Sequence, residues 1–134
     1  MGLETMFATS QPDQDSDNSA KRAFLRDFIT ALIQQNTPFL MKHVSQDFQL
    51  YIPGADKITG KAHFEEALEA NVFGDTKSIK LEGVIVDGDK GASWGNGVSH
   101  ARGGGFAFSS IIELSQTEPE TVVKVTTFLM PTSE

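Results

Sequence analysis

Apolar residues recur with helical spacing in the first half of the chain and alternate with polar residues in the second half. Phe24, Phe28 and Leu32 lie four residues apart and share one face of a predicted helix over about 20–35. Residues 1–19 have no apolar periodicity and are rich in Gln, Asp, Ser and Thr. We therefore predict a disordered leader over 1–19 and a single ordered domain over 20–134.

Two shorter helices and one strand are predicted before the middle of the chain. Thr37 as N-cap and Pro38 at the first helical position predict a helix that ends near residue 44. Alternation over 48–52 predicts a strand, which a proline-glycine pair ends. A loop then leads into a third predicted helix over about 61–71.

Four alternating segments follow, separated by turn-forming residues: about 78–86, 92–102, 106–116 and 121–130. Helices followed by consecutive hairpins are typical of an α+β fold, in which an antiparallel sheet packs on the helices.

The last two segments can be placed in register from their alternation. With a loop over 117–120, one face of this hairpin holds three cross-strand pairs: Phe108–Leu129, Ser110–Thr127 and Ile112–Val125. An apolar face with a few hydroxyls is typical of the floor of a ligand pocket. In the alternative interpretation, Ser110 and Thr127 bond each other or the backbone within an ordinary core.

The order of the elements resembles the nuclear transport factor 2-like superfamily, above all its SnoaL-like and ketosteroid isomerase-like branches. The sequences QQNT at 34–37, DFQLYIPG at 47–54 and TGK at 59–61 carry this resemblance, which covers about 20–131. It implies a cone-shaped α+β fold with three N-terminal helices on a strongly curved, antiparallel-rich sheet, around a deep apolar pocket. It also implies a homodimer. Activities of the superfamily span isomerases, dehydratases, cyclases, epoxide hydrolases and binding modules, so the fold does not fix the function.

The groups that perform ketosteroid isomerisation are replaced in this chain. In the alignment that the resemblance implies, the general base falls at Ile52, the oxyanion-hole tyrosine at Ile29 and the protonated aspartate at Ile112. An aliphatic side chain neither transfers a proton nor donates a hydrogen bond. Ketosteroid isomerase activity is therefore not expected.

We expect a pocket between the sheet and the helices that binds an apolar or aromatic small molecule. Its predicted lining residues are Phe24, Phe28, Ile52, Phe64, Phe108, Ser110, Ile112, Thr127 and Leu129. His100 and Tyr51 are the candidate catalytic residues, since each side chain can exchange a proton with a bound molecule.

The direction of His100 depends on the glycine-rich turn that follows it. A two-residue turn at 103–104 places Ser99 opposite Phe108 and directs His100 outward. A three-residue loop over 103–105 instead places His100 opposite Phe108, inside the fold. Glycines 95 and 97 are also typical of a β-bulge, which would change this register.

The other face of the sheet is predicted to carry apolar residues that a monomer would expose. Ile111, Phe128 and Met130 lie on this face, and the two-residue glycine turn adds Trp94 and Val98. An exposed apolar patch on a small protein usually marks an interface. We therefore predict a homodimer joined through these five residues.

Three other pairs of polar residues receive structural interpretations. Glu113 is predicted to lie opposite Lys124 on the outer face, as a partly solvated ion pair and not as a catalytic acid. Two histidine–acid pairs lack a third convergent ligand: His43–Asp47 and His63–Glu66. We predict neither a metal site nor a cofactor.

Composition then narrows the functional classes. The chain has 134 residues and a net charge of −7, with 11 basic and 18 acidic residues and no cysteine. An acidic chain without a basic stripe disfavours nucleic acid and anionic membranes as partners. Disulfides and thiolate sites are excluded. No apolar run has the length of a membrane span and no secretory signal is recognisable, so a cytoplasmic location is expected.

The sequence as a whole favours a small-molecule-binding SnoaL-like protein with an apolar pocket, with isomerase, dehydratase or cyclase activity left open. The alternative is a non-catalytic homodimeric module that binds a protein or a peptide. A closed interior cavity with polar groups favours the first interpretation, and a filled interior favours the second.

Overall fold

The structure, a computed structural model, describes residues 12–55, 57–70, 78–99 and 104–132. Its helices are α1 (Pro12–Gln34), α2 (Thr37–His43) and α3 (Lys61–Glu69). Its strands are β1 (Val44–Tyr51), β2 (Lys57–Thr59), β3 (Ser78–Asp87), β4 (Lys90–Ser99), β5 (Gly104–Leu114) and β6 (Val122–Pro131).

The described strands form one curved sheet in the order β2-β1-β6-β5-β4-β3. β1 runs parallel to β6, and every other neighbouring pair is antiparallel. The helix α1 packs on β3 and β4, while α3 packs on β1 and β2. Three helices on a mostly antiparallel sheet confirm the predicted α+β fold.

The helix α1 begins at Pro12 and not near residue 20 as predicted. Proline is favoured in the first turn of a helix, and aspartates are favoured near its positive end, so a polar sequence can begin a helix without apolar periodicity. Residues 12–19 therefore continue the helix that was predicted to begin near residue 20. Residues 1–11 lie outside the described part of the chain.

The segment after α1 differs from the prediction in three details. Asn36, and not Thr37, caps α2, since its side chain accepts a hydrogen bond from the Phe39 backbone N–H at 3.3 Å. β1 begins at Val44, earlier than the predicted 48. The predicted loop after β1 includes β2, a three-residue strand that pairs with β1.

The predicted register of the last hairpin is confirmed. Ser110 pairs with Thr127, and Phe108–Leu129 and Ile112–Val125 pair in the same register. The register shifts between Glu113 and Leu114, so that Leu114 pairs with Val122. The end of this hairpin therefore differs from the regular pairing up to a loop over 117–120 that was predicted.

The register of β4 with β5 differs from both registers that the sequence left open, which placed Ser99 or His100 opposite Phe108. Gly97 pairs with Phe106 and Gly95 pairs with Phe108, and the ladder extends to Ser99 opposite Gly104. This register places the Phe106 ring over Gly97, where a Cβ atom would lie 2.8 Å from the ring. The Phe106 ring fits here because Gly97 has no side chain. The three consecutive glycines at 103–105 do not reveal this packing.

The β-bulge lies in β3 and not at the glycines of β4. The ladder between β3 and β4 shifts between Leu81 and Gly83, next to Gly95. A Cβ atom on Gly95 would overlap the main-chain carbonyl oxygen of Lys80. Gly95 therefore provides the space for the bulge of the neighbouring strand.

The core lies between the helices and the inner face of the sheet. Phe28, Phe48 and Phe64 are its largest fully buried side chains. The buried residues of α1 come from the predicted apolar face of that helix, around Phe24 and Leu32. Among the described residues, no helix combines the length and the apolar character that crossing a membrane requires.

We expect Gly95→Ala to lower the free energy of unfolding by about 1–3 kcal/mol, as overpacking does, because the backbone of β3 cannot move away without breaking its ladder. Urea denaturation measures this loss. Gly91→Ala is the matched control, since its Cβ atom first meets the end of the Leu25 side chain, which can rotate where a backbone atom cannot, and its loss should be smaller. An equal or larger loss for the control would contradict the assigned role of Gly95.

Candidate functional site

Three residues with hydroxyl groups lie side by side on the inner face of the sheet. Ser93 on β4 pairs with Ser110 on β5, and Ser110 pairs with Thr127 on β6. Their exposed fractions are 0%, 1% and 7%. We call these three residues the hydroxyl row.

Only two members of the hydroxyl row bond each other. The oxygen atoms Ser110 Oγ and Thr127 Oγ1 are 2.9 Å apart, and either hydroxyl can be the donor. This contact matches the structural interpretation of the pair as a cross-strand hydrogen bond in the core. Ser93 Oγ is buried without a hydrogen-bond partner among the described residues.

The surroundings of the hydroxyl row are apolar. Phe108 and Ile112 flank Ser110 on the same face of β5, and both are buried. Within the described ranges, the buried polar side chains are Ser93, Ser99, Ser110 and Thr127, and none of them is an acid or a base near neutral pH. The described interior therefore offers hydrogen bonds without a group that titrates near pH 7.

The predicted pocket residues all belong to this interior. Seven of them are buried: Phe24, Phe28, Phe64, Phe108, Ser110, Ile112 and Thr127. Ile52 and Leu129 are partly buried and pack against the same cluster. That these residues line a ligand pocket stays a prediction.

Of the two candidate catalytic residues, the structure describes Tyr51 alone and places it outside the interior. Tyr51 pairs with Thr126 and is 38% exposed, on the outer face of the sheet. Its neighbour Leu50 points inward instead, since successive side chains of a strand alternate between faces. His100 lies outside the described residues.

Sequence reasoning missed Ser93. The inner positions of β4 alternate with exposed ones and are all small: Gly91, Ser93, Gly95, Gly97 and Ser99. This alternation of small residues is a signal that the inner face of β4 is closely covered by other side chains. This pattern of small residues does not show whether a buried serine has a hydrogen-bond partner.

The outer face of the sheet carries an exposed apolar surface. Its predicted members are 41% to 65% exposed: Trp94, Val98, Ile111, Phe128 and Met130. Ile85, which the sequence analysis did not include, is 58% exposed and lies on the same face. We call these six residues the outer patch.

Cross-strand pairing holds the outer patch together. Trp94 pairs with Ser109, which in turn pairs with Phe128, so the two aromatic residues lie in one row across three strands. The Trp94 indole lies over Gly83, where a Cβ atom would overlap the ring. The patch therefore extends across four neighbouring strands, from β6 to the edge strand β3.

Glu113 lies between two lysines on the outer face. It pairs with Lys124 on β6, as predicted, and also with Lys90 on β4. The ion pair that the structure gives is with Lys90, at 3.9 Å between Nζ and Oε1. A partly exposed ion pair contributes little to stability.

The two histidines of the described chain bond backbone carbonyl groups. The Nδ1 atoms of His43 and His63 lie 2.9 Å from the carbonyl oxygens of Glu120 and Thr59, respectively, and donate to them. His43 also packs against the rings of Phe24 and Phe39. Among the described residues, no group of three or more acids and histidines is placed to hold a metal ion.

A separate cleft of about 460 Å³ opens between α1, the turn from β3 to β4 and the loop from β5 to β6. Phe24 is the one predicted pocket residue among those that line it, together with the apolar Leu114 and Pro119. Asp89 lies at this cleft and accepts a hydrogen bond of 2.6 Å from Gln116 Nε2.

Comparisons with known proteins agree with this architecture. No family model and no curated protein matches the chain. A proposed ketosteroid isomerase from Kribbella flavida DSM 17836 superposes with a TM-score of 0.71 at 19% identity, over 88% of this chain and 83% of that chain. An NTF-2 like protein of unknown function from Burkholderia xenovorans LB400 superposes with a TM-score of 0.67 at 17% identity, over 84% of both chains.

A third similar structure is a proposed SnoaL-like polyketide cyclase from Shewanella putrefaciens CN-32. It superposes with a TM-score of 0.68 at 14% identity, over 83% of this chain and 90% of that chain. The chain therefore has the nuclear transport factor 2-like fold that the sequence predicted. At these identities the likeness concerns the fold alone.

We expect the pKa of the Asp89 carboxyl group to lie below its ordinary value of 3.8, because Gln116 donates a hydrogen bond to the carboxylate and Lys90 and Lys21 are nearby. The stabilisation that ionised Asp89 contributes is present above pH 3.8 and is lost as the pH falls through the lowered pKa. Carbon-detected NMR titration measures this pKa. Gln116→Ala should raise it, and Gln34→Ala on α1 should not. A pKa that is unchanged by Gln116→Ala would contradict the cause.

Proposed function

We propose that this protein binds an apolar or aromatic small molecule between the inner face of its sheet and its helices. The observation that carries this proposal is the hydroxyl row, a set of buried hydroxyls within an apolar interior. Ligand sites combine apolar walls with a small number of placed polar groups, and this interior has that composition. Side chains cover the hydroxyl row in the free chain, so a ligand must displace them to reach it.

The proposed function is ligand binding and does not include a catalysed reaction. Acid-base catalysis needs a group whose pKa lies near the working pH, and serine and threonine hydroxyls do not titrate there. The buried polar residues of the described interior are serines and a threonine, and Tyr51 is on the opposite face of the sheet. Among the candidates, His100 remains the one group that titrates near neutral pH, so an isomerase, dehydratase or cyclase reaction here would depend on it.

Ketosteroid isomerisation is not part of the proposal. Ile29 and Ile112 have no exposed surface, and Ile52 packs against the same core. These aliphatic side chains occupy the positions at which the resemblance requires proton-transferring or hydrogen-bonding groups.

We expect the protein to bind at least one class of apolar ligand without isomerising a Δ5-3-ketosteroid. Thermal unfolding with steroids, polyketide-like aromatics and terpenoid epoxides measures binding, because a ligand at about 100 times its Kd adds about 2.7 kcal/mol of stability. Sugars of similar size are the control and should leave the Tm unchanged.

Ultraviolet absorbance of the conjugated product measures isomerisation in the same samples. A Tm that no apolar class raises would contradict the binding proposal. Steroid turnover that Ile112→Ala abolishes would contradict the alignment.

We further propose that two copies of the chain associate through the outer patch, as a homodimer. The six apolar residues of this patch are two-fifths or more exposed in the single chain, and they lie on one continuous face. A two-fold axis lets a single patch cover itself, so a second complementary surface is not needed. This association is compatible with ligand binding on the inner face, and it is also the basis of the alternative function, a non-catalytic module that binds a protein or a peptide.

We expect Phe128→Glu to convert the dimer into a monomer at micromolar concentrations. Phe128 lies on β6 in one row with Trp94 on β4, so an interface through the patch would make the variant bury two unpaired carboxylates per dimer at a cost of several kcal/mol. Light scattering after size exclusion measures the mass of each variant.

Ala62→Glu introduces the same charge at an exposed position of α3 and is the control, which should stay dimeric. A wild-type chain that stays monomeric at high concentration would refute the dimer. A dimeric Phe128→Glu variant would refute the choice of face.

A further inference from the structure

The hydroxyl of Ser93 is the feature of the interior that packing alone does not explain. It is fully buried on the inner face of β4, and Ser93 Oγ has no hydrogen-bond partner among the described residues. A buried hydroxyl that makes no hydrogen bond destabilises a protein relative to an apolar side chain of the same shape. Alanine at this position would avoid that cost.

The neighbouring pair supplies a second hydroxyl proton. Ser110 and Thr127 each carry one proton, and the bond between their oxygen atoms uses one of the two. When Thr127 donates this bond, the proton of Ser110 is left free to donate toward the β4 side of the row. Ser93 and Ser110 then have one available proton each.

The strand pairing places these two hydroxyl groups far enough apart for one oxygen atom of a ligand to lie between them. Ser93 and Ser110 are directly opposite each other in the ladder of β4 with β5. Cβ atoms of directly opposite residues are roughly 4.5–5.5 Å apart. A single oxygen atom held between the two hydroxyls lies about 2.8 Å from each, which is the usual length of such a hydrogen bond.

The surroundings select a neutral ligand. The buried polar side chains in the described part of the chain are serine and threonine, without a lysine, arginine or histidine to pair with a negative charge. A carboxylate or a phosphate would therefore be buried without a counter-charge, which is unfavourable. A carbonyl oxygen is neutral and has two lone pairs, so it can accept from both hydroxyls.

We propose that the hydroxyls of Ser93 and Ser110 together bind the carbonyl oxygen of a neutral, apolar ligand. This inference rests on the proposed ligand-binding function and names the ligand class, a ketone or a similar carbonyl compound. Ser93 has no exposed surface in the free chain, so binding requires the side chains packed over it to move aside.

Matched pairs of ligands with and without the oxygen atom test the inference. The probes are 1-tetralone with tetralin, and a steroid 3-ketone with its 3-deoxy counterpart, with 2-naphthoate as the charged probe. Isothermal titration calorimetry should give at least one ketone an affinity about 5- to 30-fold above that of its hydrocarbon, as one or two hydrogen bonds provide. 2-Naphthoate should bind more weakly than 1-tetralone.

Ser93→Ala should remove this preference. The affinity for the ketone should fall about 5- to 10-fold, while that for the hydrocarbon stays within about 2-fold. A preference for the ketone that survives Ser93→Ala would overturn the role of Ser93.

Stability provides a second readout that requires no ligand. Ser93→Ala should leave the Tm of the free protein unchanged or raise it, because no partner is left behind. Ser110→Ala is the matched control on the same row and should lower the Tm, because it leaves the buried hydroxyl of Thr127 without its partner. A clear loss of Tm in Ser93→Ala would overturn the inference, since it would mean that Ser93 is already bonded in the protein.

The outcomes separate the two proposals. When ketone and hydrocarbon bind equally and Ser93→Ala changes neither affinity, ligand binding holds and the hydroxyl site is refuted. When no probe binds, both the carbonyl site and the proposed function for these ligand classes are refuted.

Discussion

The pairing of β5 with β6 in one register is the constraint on which the described fold depends. It places Phe108 and Ile112 against the helices and leaves Ile111 and Phe128 on the outer face. A slip by one residue would exchange these faces, burying polar groups and exposing the core, because side chains of a strand alternate with a period of two. The Ser110–Thr127 pair, and the parts of the apolar core and the outer patch that β5 and β6 contribute, follow from this register.

The small inner residues of β4 allow the helix α1 and the neighbouring strands to pack closely against the sheet. Its inner positions are glycine and serine, so neighbouring groups can approach its backbone closely: Leu25 from α1, Phe106 from β5 and the bulge of β3. Close approach leaves little tolerance for added atoms. Ser93 Oγ has no hydrogen-bond partner on this closely packed strand, and this is the observation from which the carbonyl site is proposed.

The two faces of the sheet present different chemistry. The inner face combines apolar side chains with neutral hydroxyls, and the proposed binding of an uncharged small molecule rests on this combination. The outer face combines exposed aromatic and aliphatic residues with the Glu113–Lys90 ion pair, which resembles the mixed composition of protein interfaces. The similar solved structures carry different functional descriptions on one fold, so the side chains of each face, and not the fold, must support the functional argument.

The sequence by itself determined the three helices, the α+β class and the register of the last hairpin, because apolar periodicity over 20–35 and alternation over 106–130 are local signals with one consistent solution. Only the tertiary structure decided the register of β4 with β5, since three consecutive glycines are compatible with several turns and the packing of Phe106 on Gly97 selects one. It also decided that α1 begins at Pro12 and that Ser93 lacks a partner. A hydrogen-bond partner of a buried serine depends on residues far away in sequence, so no local pattern can specify it.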